Sequence, residues 1–182
     1  MLIAITGTPG TGKTGVARIL AKLLDAKQIG INELADKGKL NYTYDRKRKT
    51  REIDTKELSE AVSKEVEKNR INILEGHLSH VVEADYIFVL RTNPAELEKR
   101  LKKRNWSRSK IRENVLAEFI DEIAMEAGIG KTAFEIDTSR MKPRKAAALI
   151  KDILNSYSLQ KKYRIGRIDW TEKYRNVVLK MV

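Results

Sequence analysis

The apolar positions of this chain follow two alternating periods. Four short runs, Met1-Leu2-Ile3-Ala4-Ile5, Ile71-Asn72-Ile73-Leu74, Tyr86-Ile87-Phe88-Val89-Leu90 and Ala133-Phe134-Glu135-Ile136-Asp137, have the length and composition of buried strands, and Lys27-Gln28-Ile29 makes a shorter fifth. Between them apolar residues recur at helical spacing: Val16, Leu20, Leu23 and Leu24, then Leu58, Val62 and Val66, then Leu97 and Leu101. Ile111, Val115, Leu116, Phe119, Ile120 and Ile123 predict one long amphipathic helix ending at Gly128, and Ala146, Leu149, Ile150, Ile153, Leu154 and Tyr157 predict the last strong one. Strands alternating with helices, joined by right-handed crossovers, give a three-layer α/β domain with a five-stranded parallel sheet flanked by helices. Ligands of such sheets bind beyond the carboxyl ends of the strands, so residues just past strand ends carry the functional interest.

Local signals set the element boundaries. Ile53 and Leu58 form a hydrophobic staple around Asp54 as N-cap, with Glu57 as capping-box partner. Asn93-Pro94 opens another helix, with Glu96 completing its cap. From Ile31 to Glu52 no apolar period is sustained: a short helix capped by Asn32 and stopped at Gly38 precedes Tyr42, Tyr44 and the run Arg46-Lys47-Arg48-Lys49-Thr50-Arg51. That insertion suits either a phosphate and a base or a solvated charged face. Beyond Ser158 the pattern weakens into a basic tail in which Ile165, Ile168 and Trp170 are expected to dock in part.

Composition narrows the classes. At 182 residues the chain fits one domain, and zero cysteines excludes a thiol nucleophile, a cysteine zinc site and a disulfide framework. No apolar stretch reaches the roughly 20 residues of a membrane span and no signal sequence precedes Leu2, so a soluble, cytoplasmic protein is expected. The formal net charge is +12; residues 141–182 hold 11 Lys and Arg against 3 Asp and Glu, or +8 of it. Such an excess fits a nucleic-acid or ribonucleoprotein partner, and equally a solubility surface or the Lys and Glu richness of thermophile proteins.

The chemistry begins after the first strand. Gly7-Thr8-Pro9-Gly10-Thr11-Gly12-Lys13-Thr14 satisfies G-x-x-x-x-G-K-[ST] and opens a helix. Glycines let backbone N–H groups close on phosphate oxygens, Lys13 adds positive charge at the β- and γ-phosphates, Thr14 offers a hydroxyl to Mg²⁺, and the helix N-terminus faces the same anion. Glu75, at a strand end, is a candidate carboxylate for Mg²⁺ or its water. His77 could orient or deprotonate an attacking oxygen or be structural; His80 is equally available by type but lies further from the strand end. The basic stretch Arg100 to Arg112 reads as a phosphate-stabilising lid or a solvated helix junction. No [NT]-K-x-D guanine-reading motif occurs, which disfavours a GTPase.

The phosphate loop, the insertion, Glu75-Gly76-His77, Arg91-Thr92 and the short basic stretch Arg104-Asn105-Trp106-Ser107-Arg108-Ser109-Lys110-Ile111 together resemble the adenylate kinase isoenzyme 6 family, in its prokaryotic (archaeal-type) branch, over nearly all of residues 1–158. The resemblance implies a P-loop nucleoside-monophosphate-kinase fold with a core over 1–158, a monophosphate-binding segment at about 30–50, a lid at about 103–113, and a basic C-terminal tail over 159–182. It implies ATP contacts from Gly10, Gly12, Lys13, Thr14, Gly15 and Arg104; together with the residue reading above, Thr14 and Glu75 are the expected metal contacts and Lys13, His77 and Arg104 the expected catalytic residues. ATP and Mg²⁺ are the implied cofactors and AMP the acceptor, with ATP hydrolysis beside transfer. The implied partner is a small-subunit ribosomal protein of the eleven family within a pre-ribosomal particle, in ribosome maturation and rRNA processing. Many members have Asp where Glu75 stands, and Gly15 replaces a hydroxyl residue often found after the loop threonine. The competing expectation is a nucleotide-switched binding or chaperone module for a ribosomal protein or pre-rRNA, with RNA contact through the tail and little kinase activity.

Overall fold

The computed structural model describes residues 1–46, 50–130 and 132–179. In chain order the elements are β1 (Leu2–Thr6), α1 (Lys13–Leu24), β2 (Lys27–Gly30), α2 (Ile31–Asp36), β3 (Thr43–Asp45), β4 (Thr50–Glu52), α3 (Thr55–Glu65), β5 (Asn72–Glu75), a 3-10 turn (Ser79–Val81), β6 (Tyr86–Arg91), α4 (Pro94–Lys102), α5 (Arg108–Phe119), α6 (Glu122–Gly128), β7 (Ala133–Asp137), α7 (Pro143–Leu154), α8 (Tyr157–Tyr163) and α9 (Thr171–Leu179). Five strands pair in parallel in the order β2-β5-β1-β6-β7, as expected of an α/β domain. β1 sits centrally, so the loop leaving it and the residues leaving β5 emerge side by side.

Strand alternation divides the core. Ile3, Ile5, Phe88, Leu90, Phe134 and Ile136 meet Val16 and Leu20 of α1 and Ile150 and Ile153 of α7 on one face. Ala4, Ile87, Val89 and Ala133 meet Ile123, Ala124 and Ala127 of α6 on the other. Leu34 of α2 and Leu58 and Val62 of α3 close over Ile29 and Leu74 at the β2 end. Leu97 and Leu101 of α4, Ile111 and Val115 of α5 and Val178 of α9 form a further cluster, in which each fully buried leucine contributes about 1.5–3 kcal/mol.

Several elements depart from the sequence expectation. The long helix expected from Ile111 to Gly128 is two, because Asp121 adopts a left-handed φ of 60° and turns the chain from the α4 layer onto the sheet. Ile120, expected inside, is 57% exposed at that break. Tyr157 belongs to α8 instead of α7 and is exposed, and Leu23 is also largely solvated. Gly30, not Asn32, occupies the N-cap of α2, while Gly38 beyond it is left-handed as a helix stop requires. The unperiodic insertion contains an antiparallel hairpin, β3 with β4. Lys47, Arg48 and Lys49 of its basic run lie outside the described residues, as do tail residues 180–182. Arg51 is described: its guanidinium bonds Asp36 at 2.6 Å and stacks 4.5 Å from the centre of the Tyr42 ring, tying the hairpin to α2.

The C-terminal segment is closely docked. Arg164 bridges Phe134 in antiparallel fashion, the Ile165 N–H donates to the Ala133 carbonyl at 3.3 Å, and Trp170 is buried. This segment covers the outer edge of β7, which would otherwise present unpaired backbone groups.

Candidate active site

The phosphate loop is shaped by what its glycines leave out. Gly7 has φ 135°, and a Cβ there would stand 2.3 Å from the Leu90 carbonyl oxygen. Gly10 has φ 102°, and its Cβ would stand 2.8 Å from Leu97 Cδ1. The turn between them is closed by the Thr11 N–H and hydroxyl, both donating to the Thr8 carbonyl at 3.2 and 2.9 Å. α1 begins behind a left-handed Gly12 with no side-chain cap, so its first N–H groups remain available to an anion. Gly15, in the first turn, would carry a Cβ at ordinary contact distance, 3.6 Å, from Pro143.

Lys13 reaches back across the loop, its Nζ donating to the Gly7 carbonyl at 2.7 Å and the Thr8 carbonyl at 3.2 Å. Enclosure by the loop lowers its pKa from 10.5 to about 8, with the Arg104 charge pushing the same way and Glu75 and Glu118 opposing. The Thr14 hydroxyl donates to Glu75 Oε2 at 3.2 Å. Burial raises the Glu75 pKa above its ordinary value, while the Thr14 bond and the Lys13 and Arg18 charges pull it down. His77 follows with part of its surface in solvent, yet the surrounding protein and the neighbouring Lys13 charge lower its pKa from 6.5 to about 4. At neutral pH its imidazole is uncharged, a donor and acceptor for positioning. It lies below the near-neutral value the sequence suggested for a proton acceptor, and the negative charge of a bound triphosphate would move it back up.

Of the sequence-predicted residues, Gly10, Gly12, Lys13, Thr14, Gly15, Glu75 and His77 therefore lie together at the carboxyl ends of β1 and β5. Arg104 stands at the margin, in the exposed turn between α4 and α5, with its guanidinium 5.8 Å from the centre of the Trp106 ring and its charge felt at Lys13. His80 is different: it is buried, with Nδ1 2.9 Å from the Thr6 hydroxyl and Nε2 2.9 Å from Glu126, so both ring nitrogens serve the packing of α6 on the sheet. Among the described residues no cluster of three or more His, Cys, Asp or Glu side chains could enclose a metal. Two neighbouring oxygens, Thr14 Oγ1 and Glu75 Oε2, suit a hard cation that takes its other ligands from phosphate and water.

Arg100 and Arg91 were both noted in the sequence, but not the roles they take here. Arg100 bridges the loops: its Nη2 donates to the Thr138 and Ser139 carbonyls at 2.9 and 3.0 Å, beside the carbonyl end of β7. Below the phosphate loop lies a buried ionic cluster in which Arg91 meets Glu118, Glu135 and Asp121. Glu118 also accepts the Thr8 hydroxyl at 2.6 Å. The sequence signal was present, since Glu118 falls within the apolar stripe of Ile111 and Val115, where an unpaired carboxylate would be strongly destabilising.

A phosphate loop on a central parallel strand, a carboxylate at the neighbouring strand end and helices on both faces define a P-loop kinase fold. Solved structures agree: a shikimate kinase from Acinetobacter baumannii superposes with a TM-score of 0.59 at 17% identity over 85% of this chain and 92% of that one. A deoxyadenosine kinase from M. mycoides gives 0.58 at 19% identity, covering 85% and 98%. Residues 3–121 match the AAA domain family. Proteins of Pyrococcus furiosus and Methanocaldococcus jannaschii, each named "Putative adenylate kinase", are 39% and 40% identical, over 98% and 96% of this chain and 96% and 95% of theirs. The chain belongs to this family of P-loop nucleotide kinases, which use ATP as phosphoryl donor.

Proposed function

We propose that the protein is an adenylate kinase that transfers the γ-phosphoryl group of ATP to AMP and, without an acceptor, to water. The observation that carries this reading is the convergence of Lys13, Thr14 and Glu75 at the mouth of the phosphate loop. The names of the relatives support the choice of AMP. In this reading Gly10, Gly12 and Gly15 present backbone N–H groups to the phosphates, Lys13 and Arg104 stabilise the transferring charge, and Thr14 and Glu75 would hold Mg²⁺, which would supply positive charge against the phosphates. His77 orients the attacking oxygen. The segment at about 30–50 receives the monophosphate, the stretch at about 103–113 closes as a lid, and the core at 1–158 carries the chemistry. A coupled assay following ADP from ATP with and without AMP tests it. Wild type should exceed Lys13→Ala by at least about a hundredfold with AMP present; equal rates with every monophosphate tried would sink the kinase reading.

A second reading rests on the C-terminal segment, where Lys161 and Lys162 stand 4.8 and 5.8 Å from the ring centres of Tyr157 and Tyr163. Aromatic rings interleaved with cations suit stacked bases and phosphates. The tail would then carry a ribosomal protein of the eleven family or pre-rRNA in a cytoplasmic assembly step timed by nucleotide. RNA affinity that does not fall with added salt would count against it.

A further inference from the structure

Glu118 receives four donors: Arg91 Nε at 2.7 Å, the Thr92 N–H at 3.1 Å and Trp170 Nε1 at 3.2 Å on Oε1, and the Thr8 hydroxyl at 2.6 Å on Oε2. Three of these crowd on Oε1 and one on Oε2, and the side chain is 2% exposed, so the carboxylate is held by protein donors and not by bulk water. The four donors come from three parts of the molecule. Thr8 is in the phosphate loop, Arg91 ends β6 and Thr92 follows it, and Trp170 belongs to the C-terminal segment. Thr8 is a junction in its own right, because its carbonyl accepts from Thr11 and from the Lys13 amine. A shift of the Thr8 backbone therefore moves one of the two carbonyls, with that of Gly7, that hold the Lys13 amine.

The C-terminal side is held equally firmly. The N–H groups of Arg167 and Ile168 both donate to Glu135 Oε1, and Glu135 Oε2 accepts from Arg91 Nη1 at 3.2 Å. Trp170 lies 5.8 Å from the Arg91 guanidinium by its ring centre and packs edge-on to Tyr174. Nothing in the roles assigned to the loop uses Glu118, yet it bonds the hydroxyl of Thr8, a buried loop side chain.

We propose that Glu118 is a positioning residue for the phosphate loop and that residues 164–170, through the Trp170 indole, hold Glu118 where Thr8 needs it. The C-terminal segment is then a working part of the nucleotide site. The inference rests on the loop binding a nucleoside triphosphate, as in the function proposed above.

The test uses the full chain and two mild substitutions, because Glu118→Ala would leave buried cations and donors unpaired and could simply unfold. Trp170→Phe keeps an aromatic ring and removes the N–H; Thr8→Val keeps the β-branched shape and removes the hydroxyl. The affinity for ATP with Mg²⁺ is measured by calorimetry for wild type, both single variants and the double variant, with melting temperatures alongside. Each single variant should weaken ATP binding about three- to tenfold, as expected for one hydrogen bond to a charged group acting partly through a relay. The double variant should be no weaker than the worse single one, because both act through the same carboxylate. ATP affinity in Trp170→Phe within twofold of wild type, with only the melting temperature lowered, would make the contact purely structural and overturn the proposal. Multiplying effects in the double variant would overturn it too. A wild type that binds no ATP would overturn the functional reading, and this inference with it; wild-type binding with an unaffected Trp170→Phe would overturn this inference alone.

Discussion

Lys13 shows how the fold tunes a single charge. Its amine, close against two carbonyls, titrates near 8, well below the 10.5 of a free lysine. An arriving triphosphate adds negative charge and raises that value, so between about pH 8 and 10 ATP binding should take up a proton. Calorimetry at pH 8.5 in two buffers of different ionisation enthalpy should find uptake of roughly half a proton or more, and its absence would mean the amine is already charged in the free protein. The same shift makes the nucleotide-free protein gain stability as pH rises from about 8 to 10.5, because there the unfolded chain binds more protons than the folded one. The loop residues were legible in the sequence because backbone chemistry fixes their spacing. Thr8 was not, since the motif leaves that position open and its meaning comes from a carboxylate 110 positions away. His77 was legible as a site residue but not in its charge state, which depends on enclosure and on the Lys13 charge.

At the level of elements, local signals with a complete local mechanism were readable and those that depend on tertiary partners were not. Asp54 accepts from the N–H groups of Lys56 and Glu57 at 2.8 and 3.1 Å, as its cap sequence requires. Asp54→Ala should therefore cost about 0.5–2 kcal/mol in denaturant unfolding with catalysis unchanged. The Asn93 cap and the five strands were legible for the same reason, and their alternation with helices implied a parallel sheet, whereas the strand order β2-β5-β1-β6-β7 depends on tertiary pairing and was not read. The break between α5 and α6 was not, because the apolar positions continue through it at helical spacing. What turns the chain is Asp121, paired with Arg91 in a left-handed conformation. Likewise the β3 and β4 hairpin has three residues a side and little apolar alternation, so its sequence resembles a loop.

At the scale of the whole molecule, segments far apart in sequence meet beside the candidate site: β1 delivers the phosphate loop, and the segment after α8 returns to β7 and Glu118. Ligand occupancy should accordingly stabilise the entire domain. ATP with Mg²⁺ at a hundred times its Kd should add about 2.7 kcal/mol and raise the melting temperature by roughly 5–11 °C, a shift that Lys13→Ala should abolish. The +12 net charge and a partly docked tail were both legible in the sequence, but not the means of docking, which runs through a few buried polar atoms and one indole.

Trp170 also bears on the order of synthesis. The bonds from Thr8 to Glu118 and from Glu118 to Trp170 span 110 and 52 residues. During translation the phosphate loop emerges early, and its buttress is the last of these parts to leave the exit tunnel. Closing so long a loop is a late event in folding as well. If Trp170 holds Glu118 for the phosphate loop as proposed, a nascent chain carries a less supported loop until that residue arrives, and full nucleotide affinity marks a chain made and folded through it.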